Sequence, residues 1–141
     1  MMSPERPITR SSRTEHFTSS TTDTQRATMV DIKCTADFCL IPMGTESPSV
    51  SRYIAEIQIL MRESGLKYSM HSAGTTVEGP WDQVMDVIGK AHEHMHKLGV
   101  QRVQTDVRIG TRVDKQQSFE DKVTAVEKIL NEKDQEDAAR A

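Results

Sequence analysis

The stretch Tyr68-Ser-Met-His-Ser-Ala-Gly-Thr-Thr-Val-Glu-Gly79 reads as strand, tight turn, strand. Gly74 supplies the backbone freedom that a short hairpin turn asks for. Ser69, His71, Thr76 and Glu78 alternate with Tyr68, Met70 and Val77. Successive side chains of a strand point to opposite faces, so each set shares one face. One face is apolar. The other carries an imidazole, hydroxyls and a carboxylate, a surface suited to a small polar molecule or a partner.

Working outward, Cys34 to Ile41 reads as a first strand, closed by Pro42 and Gly44. Ser47-Pro48 then looks like a helix start, with serine as N-cap and proline at the first helical position. Val50, Tyr53, Ile54, Ile57, Leu60 and Met61 follow at helical spacing, and Gly65 is a natural stop. Beyond the hairpin a second helix opens at Gly79-Pro80. It carries Trp81, Val84, Ile88, Ala91, Met95 and Leu98, and stops at Gly99. Arg102 to Arg112 is a fourth strand, with Val103, Thr105, Val107 and Ile109 on one face. A third helix, about Ser118 to Leu130, carries Phe119, Val123, Val126, Ile129 and Leu130.

The order is β-α-β-β-α-β plus a C-terminal helix. Right-handed crossovers put both connecting helices on the same side of the sheet. The expected architecture is a ferredoxin-like α+β two-layer sandwich with antiparallel strand order 4-1-3-2. The uncovered sheet face should hold Asp37, Cys39 and Ile41 from the first strand and Gln104, Asp106 and Arg108 from the fourth.

At 141 residues, one domain is the default, and it is placed at 30–130. Residues 1–29 are crowded with Ser, Thr and Arg and have little to bury, so they read as a disordered extension. Met29 stands where an alternative translation start could make that extension dispensable. Glu5, Glu15 and Asp23 count against a mitochondrial transit peptide, and a cytoplasmic location is expected. Residues 131–141 read as a polar, acidic tail. A net charge of -3 gives no charge-driven affinity for nucleic acid. No apolar run has the length of a membrane span. Cys34 and Cys39 lie an odd number of residues apart in one strand, hence on opposite faces, where they neither pair nor share a metal.

Three constellations invite chemistry. His92-Glu93-His94-Met95-His96 spells a zinc-protease motif, with two imidazoles one helical turn apart. Arg102 stands where a third histidine would be needed, and histidines also suit a helix C-terminus, so no metal is assigned. Gly44, Thr45 and Ser49 belong to a hydroxyl-rich loop that feeds a helix N-terminus and could meet an anion or phosphate. Ser69, His71, Thr76 and Glu78 share the open face with Asp37. No nucleophile–base–orienter set can be assembled by spacing, so no catalytic residue is assigned.

Pro42-x-Gly44, Val50-Ser51-x-Tyr53-Ile54 and His71-x-x-Gly74-Thr75-x-x-Glu78-Gly79 occur in that order. Val84, Ile88, His92, Gly99-x-x-Arg102-Val103-x-Thr105, Ile109 and Arg112-x-Asp114 follow. Over about residues 33–115 this pattern resembles the small thiamine-binding protein family, related to the YkoF-like domains. The resemblance implies a ferredoxin-like subunit that assembles into dimers or tetramers. It implies binding of thiamine or its hydroxymethylpyrimidine half, without catalysis and with no further cofactor. Asp37, Ser69, His71, Thr76 and Glu78 are then the expected ligand-binding residues. Carboxylates accept from an exocyclic amine and offset a thiazolium cation. Glu78 would be the polar anchor, with Gly79 leaving room for a flat ring.

Overall fold

The first strand alternates strictly. In β1, Lys33–Met43, the residues Cys34, Ala36, Phe38, Leu40 and Pro42 are buried, and those between them are half-buried or exposed. A strand covered on one side only shows this pattern. The computed structural model describes residues 30–140; the expectations made for residues 1–29 lie outside them. The remaining elements are α1 Ser51–Ser64, β2 Lys67–His71, β3 Gly74–Pro80, α2 Trp81–Lys97, β4 Arg102–Thr111 and α3 Phe119–Arg140. The sheet has the order β2-β3-β1-β4, with every neighbouring pair antiparallel. This is the ferredoxin-like α+β sandwich expected.

Both crossover helices pack on the Phe38 side. Ile57 and Met61 of α1 and Val84, Val87, Ile88, Ala91 and Met95 of α2 close over Cys34, Ala36, Phe38, Leu40 and Val77. Gly65 and Gly99 end the two helices in left-handed backbone, with φ of 71° and 91°, a conformation that costs glycine little.

Several expectations need correction. α1 begins at Ser51, not at Ser47-Pro48, and its N-cap position, Val50, makes no side-chain cap bond. The Ser47 hydroxyl instead accepts the Ser49 amide at 3.1 Å, closing a turn ahead of the helix. β1 runs past Pro42 to Met43 and pairs with β4 from Cys34 to Met43. β3 begins only opposite Phe38, so one edge of β1 is unpaired at Pro42, where a residue without an amide hydrogen is tolerated. The hairpin turns at Ser72-Ala73, with Gly74 already in the strand. Gly74 is needed for close approach, because a Cβ there would stand 2.6 Å from the Phe38 carbonyl oxygen. Met70 lies on the helix side but is 58% exposed, beyond the reach of the helices. The space beside Gly79 belongs to Leu66, whose Cδ2 would stand 2.9 Å from an added Cβ. Finally, α3 continues through the acidic tail to Arg140. Its Glu, Lys, Gln and Ala residues are good helix formers.

Candidate functional site

Register brings four of the five expected residues together. Asp37 pairs with Thr76, Thr76 with Ser69, and Asp37 on its other side with Arg108. Ser69, Thr76, Asp37 and Arg108 stand on the sheet face that no crossover helix covers, in one row across the strands. His71 reaches into this row from the end of β2. Its Nε2 donates to Asp37 at 2.7 Å, and its Nδ1 accepts the Ala73 amide at 3.3 Å. That pair of bonds selects the tautomer with the proton on Nε2. Arg108 donates to the other Asp37 oxygen. The guanidinium beside it, helped by His71, holds the Asp37 carboxyl below the usual carboxylate range.

Glu78 sits one row along, opposite Thr35 and Lys67. Its carboxylate is already engaged. Oε2 accepts the Phe119 amide at 2.8 Å at the start of α3, and Oε1 lies 3.6 Å from the Lys67 ammonium. Lys67 also pairs with Glu120 at 2.8 Å and lies over the Phe119 ring, 5.2 Å from its centroid. Ser118 and Asp121 cap the same helix start reciprocally, at 3.1 and 2.8 Å. A broad cavity of about 910 Å³ opens here, lined by Glu78, Lys67, Arg112 and the loop that enters α3. Arg112 is tied to Asp114 at 2.5 Å and to Gln117 at 2.6 Å.

The hydroxyl-rich loop lies at the other end of β1. Gly44, Thr45 and Ser49 line a groove of about 1290 Å³ together with Arg52 and Arg102. The loop's hydroxyls are spent internally. Thr45 donates to the Ser47 carbonyl at 2.8 Å, and Ser49 bonds the Ser51 hydroxyl at 3.3 Å. The three α2 histidines point to different partners. His92 bonds Thr105 at 2.8 Å and His94 bonds Glu56 at 2.9 Å, while His96 donates from Nδ1 to the Val100 carbonyl at 2.8 Å. Each imidazole ties α2 to a different neighbour, and among the described residues no group of metal-ligating side chains converges.

Cys34 is buried on the helix side and Cys39 is half-buried on the open face, both as free thiols. Burial pushes the Cys34 thiol up. Asp106, opposite Cys39 across β1 and β4, has no cationic partner among the described residues. Gln58 escaped the sequence reading. On α1 it looks like one more solvated polar residue, yet its Nε2 donates to the buried Thr75 hydroxyl at 2.9 Å. No described helix is long and apolar enough to cross a membrane.

Comparison with known proteins gives a consistent picture. The family model for thiamine-binding protein matches residues 36–127. The UPF0045 protein ECM15 of Eremothecium gossypii is 56% identical over 96 residues, covering 68% of this chain and 91% of its own length. A UPF0045 protein of Synechocystis is 42% identical over 94 residues, with 67% and 77% covered. Among solved structures, hypothetical protein MJ1052 of Methanocaldococcus jannaschii superposes with a TM-score of 0.61 at 30% identity, covering 67% of this chain and 95% of that one. A candidate thiamine biosynthesis/salvage protein of Thermotoga maritima shares the fold, with a TM-score of 0.57 at 21% identity over 67% of this chain and 98% of that one.

Proposed function

The chain belongs to the thiamine-binding protein family, and from that premise we propose that it binds thiamine or the hydroxymethylpyrimidine half of thiamine, without catalysing a reaction. The observation that carries this reading is the row Ser69–Thr76–Asp37 with His71 on the uncovered sheet face. Thiamine offers a flat aminopyrimidine and a cationic thiazolium. Hydroxyls and an imidazole suit the first, and Asp37, Glu78 and Asp106 give the same face a set of carboxylates for the second. Glu78 retains capacity for a ligand, since an ionised carboxylate has about four lone-pair sites and two contacts are described for it. Arg52 and Arg102, which share a groove with Gly44, Thr45 and Ser49, suit the phosphate of a thiamine phosphate. No cofactor besides this ligand takes part.

The protein acts as a homo-oligomer, a dimer or tetramer of closed symmetry. Supporting this, α3 has no buried residue, and Val123, Val126, Ile129 and Leu130 stand exposed along it. Two measurements test the reading. Calorimetric titration of the full chain with thiamine, its phosphates and hydroxymethylpyrimidine should show saturable binding of at least one of them. No binding by any of the three would sink the ligand assignment and leave a pure assembly role. Light scattering should give a multiple of the chain mass at tens of micromolar, and a monomer mass would sink the oligomer.

A further inference from the structure

β3 begins opposite Phe38, so its pairing with β1 goes no further, while β1 continues to Met43. The gap beside the start of β3 is bounded by the unpaired edge of β1, the hairpin turn and α1. It holds a small cavity of about 230 Å³, below the usual range for drug-sized ligands and near the scale of one substituted ring. Leu40, Pro42, Ile54 and Ile57 make its wall largely apolar. Gln58 lines it too, and the Oε1 of Gln58 is the one buried side-chain polar atom among the described residues with no hydrogen-bond partner. A buried acceptor left unpaired is costly, and such an atom in a wild-type fold calls for an explanation.

Resting on the reading of the protein as a thiamine or pyrimidine binder, we propose that this slot takes the aminopyrimidine ring and that Gln58 is the residue that recognises it. The chemistry is complementary. Nε2 has two hydrogens and gives one to Thr75. The second hydrogen and the free Oε1 form a donor and an acceptor side by side. An aminopyrimidine presents an exocyclic amine next to a ring nitrogen, which is a donor beside an acceptor, and a glutamine amide reads that edge with two bonds. The apolar wall holds the ring faces. Oε1 has almost no accessible surface, so binding includes a turn of the amide about its terminal torsion, which is broad and soft, with the Thr75 hydroxyl, itself a rotor, following Nε2. His71 lines the slot and is bonded to Asp37. Cys39 lines it as well and stands opposite Asp106. A thiazolium attached to the buried ring therefore emerges beside two carboxylates, and the slot and the open face form one site.

The test compares hydroxymethylpyrimidine with its analogue lacking the amine, titrated against the full wild-type chain and against Gln58→Leu. The analogue should bind wild type about 10- to 100-fold more weakly, the worth of a bidentate pair. Gln58→Leu should lose a similar factor for the parent and should no longer distinguish the two ligands. As a readout independent of any variant, the Gln58 side-chain amide resonances should move when the parent ligand saturates wild type. If wild type binds the parent but those resonances stay put, or Gln58→Leu still tells the ligands apart, the slot assignment is overturned and the binding function stands. Loss of affinity in Glu78→Gln but not in Gln58→Leu puts the amine at the opposite end of β1 and overturns it equally. No binding of either ligand by wild type removes the functional reading itself.

Discussion

α2 and the first half of α3 are both amphipathic in sequence, and only α2 is buried. α2 places Val84, Val87, Ile88, Ala91 and Met95 under the sheet, three of them with no exposed surface at all. α3 spaces Phe119, Val123, Val126 and Leu130 just as regularly, yet no residue of its 22 is buried. Periodicity tells which side of a helix is apolar, but not what that side meets. For α2 the answer lies in topology, since a right-handed crossover between β3 and β4 must lie on the sheet. α3 follows the last strand, and no crossover dictates its place. It is held at its first turn by Glu78 and Lys67 and by nothing comparable further along.

The largest effect should come from α2. Met95→Ala removes a side chain with no exposed surface and should cost about 2–5 kcal/mol. Chemical denaturation would read this as a lower midpoint with an unchanged slope, and a loss below 1 kcal/mol would mean that the two helices differ less than their burial suggests. Next comes the anchor of α3. Glu78 has a side chain only 18% exposed, and Glu78→Gln weakens a charge-assisted bond to the Phe119 amide worth about 1.5–3 kcal/mol. That loss should appear as faster hydrogen exchange in the first turns of α3, with α2 unchanged. Equal acceleration in both helices would show that α3 is coupled to the core after all. Ser118→Ala removes the cap and should cost about 1 kcal/mol, again confined to α3 by exchange.

The smallest thermal effect should come from Val126→Glu, at a side chain 56% exposed. Within one subunit it should stay within about 0.5 kcal/mol. The same substitution should lower the mass seen by light scattering if the α3 stripe meets a second copy, and an unchanged oligomer mass assigns the interface elsewhere. Acid separates the open face from the core in another way. Arg108 lowers the Asp37 pKa in the folded protein. That stabilisation is fully present above the unfolded value of about 3.9 and is lost as pH falls through the depressed folded value. Asp37→Asn should therefore flatten the acid limb of the stability profile below about pH 4. A profile that keeps its wild-type slope there would show that the Asp37 row carries no such linkage.

Most of the fold was legible because it depends on patterns that are local. Alternation along β1 and β3, helical spacing in α1 and α2, and glycine stops at Gly65 and Gly99 all lie within a few residues of the elements they define. The misreadings share a physical cause, which is that a neighbour far away in sequence decides the outcome. Pro42 reads as a strand end, but it continues β1 because β3 does not reach it on that side. Gly74 reads as a turn residue, but the Phe38 carbonyl requires it. Glu78 could be placed on the open face by parity. Its bond to Phe119, 41 residues on, could not be read at all. Gln58 is the extreme case, since nothing on α1 sets it apart from its polar neighbours until Thr75 and the gap beside β1 are in view.

The strand order also governs when this chain can finish folding. β2 and β3 are joined by a two-residue turn, and such a hairpin closes in microseconds. β1 occupies a central place in the sheet, yet its partners are β3 and β4, both made long after it during synthesis. A nascent chain therefore carries Cys34–Met43 as an apolar ribbon without a mate until Arg102–Thr111 has emerged. A ribbon of that kind can template pairing with other chains. Pro42, which lacks an amide hydrogen at the tip, and Asp37 in the middle make this one a poor template during the wait.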